Sequence, residues 1–106
     1  MSFTGNEGAI ITLAEGSTMT AAYRATISTG DTLALAVGKN LLASILGQTG
    51  CMGIRMYYAI DDKGNDQLVL VGVDSNGDDM TAGILVDQLP NCPPRCSTSN
   101  ALNSKI

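Results

Sequence analysis

The residues of this chain best suited to chemistry are its three cysteines, Cys51, Cys92 and Cys96. Cys92-Pro93-Pro94-Arg95-Cys96 sets two thiols four residues apart on a backbone stiffened by proline. Three readings follow. Cys92 and Cys96 can close a local disulfide. All three thiolates, with one oxygen, can hold zinc. Alternatively, Cys51 is a small buried apolar residue and the other two carry no role. The spacing lacks the paired short hooks of zinc sites, no fourth ligand is evident, and an odd count fits poorly with a fully paired framework.

The acidic residues suggest less. Asp74, Asn76 and Asp78 alternate as at the start of a calcium loop, which needs Gly at its sixth place and Glu at its twelfth. Those places hold Asp79 and Leu85, so a plain turn is expected. Asp61, Asp62 and Asp66 read as a solvated hairpin tip. Arg55 and Tyr57 share one face of a strand, where they can grip an anion or simply stack in solvent. The chain has no histidine, so its Ser, Thr and Cys nucleophiles lack the commonest base. Gly47-Gln48-Thr49-Gly50 leads into a strand rather than out of one, unlike a phosphate loop. No catalytic constellation can be assembled, so the expectation is no enzyme and no cofactor.

Composition narrows the class further. A chain of 106 residues, 44% hydrophobic, reads as a single domain over 1–106. Six basic residues against ten acidic ones give a net charge of −4, which argues against nucleic acid as partner. The longest apolar-rich stretch, Leu33 to Leu46, is interrupted by Gly38, Lys39 and Asn40 and is too short for a bilayer. The first residues, Met1-Ser2-Phe3-Thr4-Gly5, show no basic and apolar leader pattern. A cytoplasmic location is expected, with export by a route without a cleaved signal left open.

The elements that position these groups can be placed from spacing. Thr12-Leu13-Ala14-Glu15 has the pattern of a capping box, predicting a helix from about Leu13 to Ala25 with Met19, Ala22 and Tyr23 on one stripe. Lys39 to Leu46 predicts a second helix, with Leu41, Leu42, Ile45 and Leu46 as its apolar face and Gly47 as its C-terminal cap. Thr32 to Val37 fits strand or helix. Gly53 to Ile60 and Gln67 to Asp74 read as a hairpin across a turn at Asp61–Asp66. The second of these strands is apolar on both faces, which predicts a central position. Asp74 to Asp79 is another turn, and Met80 to Val86 a short helix or strand. The expected fold is α+β: two N-terminal helices packed on a small antiparallel sheet around the hairpin, with an irregular Pro/Ser/Asn-rich tail over 89–106.

Four segments together resemble a family of small bacterial proteins of uncharacterised activity. They are Thr20-Ala21-Ala22-Tyr23-Arg24, Gly50-Cys51-Met52-Gly53-Ile54-Arg55-Met56-Tyr57-Tyr58, Gln67-Leu68-Val69-Leu70-Val71-Gly72-Val73-Asp74, and Pro90-Asn91-Cys92-Pro93-Pro94-Arg95-Cys96-Ser97. The resemblance implies a shared fold and transfers no activity. It departs at Leu35-Ala36-Val37, where the family pattern carries a bulky aromatic pair.

The functional expectation comes from what the hairpin lacks. A two-stranded hairpin needs further strands or covering helices, and few segments remain to supply them. Charged residues make up only 15% of the chain, so its surfaces are cheap to desolvate. The expected function is a non-enzymatic structural or interaction subunit whose partner is a copy of itself, as a homo-oligomer, filament or lattice. Arg55, Tyr57, Leu35 and Val37 are the candidate contact residues. The alternative is a small thiol or zinc protein using Cys51, Cys92 and Cys96.

Overall fold

The structure is a computed structural model and describes residues 2–104. In chain order its elements are α1 (Leu13–Arg24), β1 (Ala34–Leu35), α2 (Lys39–Leu46), β2 (Gly53–Ile60), β3 (Asp66–Val73), β4 (Leu85–Val86) and β5 (Asn91–Cys92). The strands form two small antiparallel sheets, ordered β1-β5 and β2-β3-β4, so the fold class is α+β. The chain divides into two compact units. One is Ala36–Leu89 with the N-terminal residues up to Glu7, and the other is Gly8–Leu35 with the residues from Pro90 onward.

The first unit is built on the predicted hairpin. β2 and β3 pair from Gly53 opposite Val73 to Ile60 opposite Asp66. β4 adds Val86 opposite Leu70 and Leu85 opposite Val71. The order makes β3 the central strand, as its two apolar faces require. Leu70, Val71 and Val73 are buried, together with Val86 and Leu89. α2 supplies Ile45, which is wholly buried, while Leu41 and Leu46 stay half exposed. Its buried stripe is therefore narrower than its apolar pattern suggests. Gly47 ends α2 in right-handed geometry (φ −77°), not in the left-handed turn of a glycine cap, and its N–H donates to the Ala43 carbonyl. Gly72 admits a close approach: Cys51 Sγ, Gln48 Nε2 and Met80 Sδ all lie within 3.1 Å of where a Cβ would stand.

Two loops of this unit share one design. In Asp61-Asp62-Lys63-Gly64-Asn65, Asp61 Oδ1 accepts from the N–H groups of Lys63 and Asn65 at 3.0 and 2.8 Å. In Asp74-Ser75-Asn76-Gly77-Asp78, Asp74 Oδ1 accepts from Asn76 and Asp78 at 2.9 and 3.0 Å. Each loop places its glycine at positive φ, 84° at Gly64 and 85° at Gly77. Aspartate is favoured here because its short side chain reaches the backbone two residues on, and glycine because it adopts the left-handed turn without steric cost.

The second unit holds α1. The capping box forms as predicted: Thr12 Oγ1 accepts from the Glu15 N–H at 3.1 Å, and Glu15 Oε1 accepts from the Thr12 N–H at 3.0 Å. The expected stripe of Met19, Ala22 and Tyr23 is not the buried face of this helix. α1 belongs to one compact unit with the C-terminal segment. Met19 and Tyr23 are exposed, and Gly16 is the buried residue of the helix. Leu102 Cδ2 and Ile11 Cδ1 stand 3.3 and 3.5 Å from the position a Gly16 Cβ would take, and Arg24 Nη1 donates to the Leu102 carbonyl. The physical reason is that a small residue lets another chain segment approach the helix axis more closely than a stripe of Met and Tyr would.

The tail is also more ordered than expected. Ala34 pairs with Cys92 and Leu35 with Asn91, and the Leu33 N–H donates to the Cys92 carbonyl at 2.7 Å. Thr32–Val37 therefore contributes a strand, and its partner comes from the segment read as irregular. Beyond it, asparagine amides tie the backbone: Asn100 Oδ1 accepts from the Leu102 N–H, and Asn103 Nδ2 donates to the Ser97 carbonyl.

Candidate functional site

β2 is the longest strand of the first unit with a free side. It pairs with β3 along one edge, and among the described residues no backbone hydrogen bond leaves Gly53–Ile60 from the other. Successive side chains alternate between faces. Ile54, Met56, Tyr58 and Ile60 share one face, and Arg55, Tyr57 and Ala59 the other. In the first row Ile54 is half-buried, whereas Met56 is 58%, Tyr58 95% and Ile60 72% accessible.

On the opposite face Arg55 and Tyr57 meet Asp79. Arg55 Nη1 donates to Asp79 Oδ1 and, at 3.1 Å, to the Gly77 carbonyl. The Tyr57 hydroxyl donates to Asp79 Oδ2. The anion that this pair can grip is thus the chain's own carboxylate, which closes the Asp74–Asp78 loop onto β2. The Tyr57 hydrogen bond, and then Arg55, hold Asp79 below the usual carboxylate range against the opposing effect of desolvation. The same hydrogen bond raises the Tyr57 phenol, and Asp79 raises Arg55. Of the other two predicted contact residues, Leu35 lies in β1 opposite Asn91, and Val37 is half-buried in the first unit.

The cysteines separate. Cys92 and Cys96 form a disulfide, and Cys51 is free, with Sγ 3.2 Å from the Gly53 carbonyl oxygen. Cys51 belongs to the first unit and the bridge to the second. Cys92 is buried and Cys96 exposed. Among the described residues no group of three or more Cys, Asp or Glu side chains is arranged to hold a metal ion. The alternating Asp74, Asn76 and Asp78 form instead a loop closed on the Asp74 carboxylate.

Two glutamines that sequence reasoning passes over organise the first unit. Gln48 Nε2 donates to the Ile45 carbonyl at 2.9 Å and its Oε1 accepts from the Ile84 N–H at 2.8 Å, tying the end of α2 to the segment before β4. Gln67 is buried and bonds the Leu89 backbone. Their only local signal is a polar residue beside or within an apolar run.

No protein-family model, curated protein or solved structure matches this chain. No helix among the described residues is long and apolar enough to cross a membrane.

Proposed function

We propose that this protein is a non-enzymatic, self-associating subunit that recruits a second copy through the outer edge of β2. One observation carries the reading: an eight-residue strand, hydrogen-bonded on one side only, bears Met56, Tyr58 and Ile60 exposed on one face. Unpaired strand edges are templates for another strand, and main-chain hydrogen bonds supply the affinity. The low charge of the chain lowers the cost of burying that edge. The Cys92–Cys96 bridge favours work in an oxidising setting over the reducing cytoplasm. The likeness to small bacterial proteins adds no activity to this reading.

Size-exclusion chromatography with light scattering over a dilution series tests it. The expected result is a mass above that of the 10.9 kDa chain that falls on dilution. A monomer at every concentration, including near-millimolar protein, removes the proposal.

A further inference from the structure

The outer edge of β2 is built in a form that fits itself. We infer that two copies pair β2 with β2, antiparallel about a two-fold axis through Tyr57, so that Met56 of each copy lies opposite Tyr58 of the other. This rests on the self-association reading and adds the partner strand, its register and the closure of the assembly.

Devices that blunt strand edges include proline, lysine and bulges. β2 has none of them. Its register with β3 runs unbroken from Gly53 to Ile60, and its one charged residue, Arg55, is engaged by Asp79. Met56-Tyr57-Tyr58-Ala59-Ile60 is uncharged and rich in strand-forming residues. The far edge of the same sheet is β4, only two residues long. A head-to-tail array of β2 on β4 would rest on that short ladder, whereas β2 on β2 engages nearly the whole strand. Identical edges related by a two-fold axis close on themselves, so the product is a dimer.

Register follows from the pleat. Residues directly opposite in an antiparallel ladder point to the same face, and a two-fold axis normal to the sheet preserves the faces. Even-numbered residues must therefore meet even-numbered ones. Two such registers engage all but one residue of the strand, one centred on Met56 and one on Tyr57. Centring on Met56 leaves Ile60 unpaired, although it is 72% exposed. Centring on Tyr57 pairs Ile54 with Ile60 and Met56 with Tyr58 across the copies. It omits only Gly53, whose Cβ position lies 2.6 Å from the Phe3 ring. Strand addition of this length buries less than the roughly 800 Å² per partner of a standard stable interface. An interface of that size is expected to dissociate on dilution.

The test is sedimentation equilibrium on the full chain with Met56→Glu, Tyr58→Lys and the double variant, with circular dichroism confirming that each folds. Each single change should weaken the wild-type dimer about tenfold, by placing a charge in the uncharged ladder. The double variant sets a carboxylate at position 56 of each copy opposite an ammonium at position 58 of the other. It should recover to within about threefold of wild type. A double variant no tighter than the singles, beside a wild-type protein that dimerises, overturns the register and leaves self-association standing. Wild-type protein that grows into fibres overturns the closed dimer. A wild-type monomer overturns this inference and the parent reading together.

Discussion

The side-chain amide of Gln67 pairs with the backbone of Leu89 in both directions. Nε2 donates to the Leu89 carbonyl at 2.9 Å, and the Leu89 N–H donates to Oε1 at 3.0 Å. Both residues are buried, so the amide does for Leu89 what a neighbouring strand would do. Gln88, just before it, is the one non-glycine residue at positive φ among the described residues, at 57°. That left-handed turn brings the Leu89 backbone to the amide, and the paired hydrogen bonds offset its cost.

Replacing Gln67 with Met should therefore destabilise the fold by about 1–3 kcal/mol, because it leaves a buried N–H and carbonyl unpaired while keeping the volume. Urea unfolding followed by circular dichroism measures this. An unchanged midpoint would show that the Gln67–Leu89 pairing is dispensable.

The Asp79 clamp predicts a pH response at both ends of the scale. Asp79 titrates lower in the folded chain than in the unfolded one. Its contribution is present above the ordinary carboxylate pKa of about 4 and is lost as pH falls through the lower folded value. Tyr57 titrates higher when folded, so its contribution is present below the ordinary phenol pKa of about 10 and is lost as pH rises through the folded value. Thermal unfolding against pH should show both declines. Asp79→Asn should flatten both, and if it leaves the curves unchanged the clamp does not couple to folding.

The oxidised chain should present one reactive thiol, Cys51, and three after reduction under denaturing conditions. Closing so short a loop contributes about 2 kcal/mol in the chain-entropy model. Reduction should therefore accelerate hydrogen exchange at the Leu33 N–H, which donates to the Cys92 carbonyl, and leave β3 protected. Three free thiols in protein purified without reductant would contradict the bridge.

The twin loops predict matched sensitivities. Gly64→Ala and Gly77→Ala each force a side chain into left-handed backbone, at about 1–2 kcal/mol apiece. Equilibrium unfolding should give similar losses for the two. A large loss at one and none at the other would mean that the loops differ in more than sequence.

How much of this is legible in the sequence depends on the range over which each element is specified. α2 matches its predicted bounds and the capping box forms as read, because both are encoded within a few residues. β2 and β3 follow from two strand-forming runs, the second apolar on both faces, and the turn residues between them. Nothing in the sequence pairs β1 with β5, since each is two residues long and the partner lies near the other end of the chain. Arg55 reads as able to bind an anion, but nothing local identifies Asp79, 24 residues away, as that anion. Gln48 and Gln67 escape notice because the value of a buried amide depends on the backbone it meets. The disulfide is one of three alternatives for the cysteines, and spacing alone does not choose among them.

The second unit joins Gly8–Leu35 to residues from Pro90 onward, with the first unit intervening in sequence. Synthesis therefore delivers α1 and β1 before Ala36–Leu89 of the first unit and their partners after it. The hairpin can zip locally while the chain is still growing, but β1 must wait for Asn91–Cys92 to emerge. Closing that β1–β5 ladder bridges Ala36–Leu89 of the first unit in sequence, so it carries a larger loop-closure entropy than the β2–β3 hairpin.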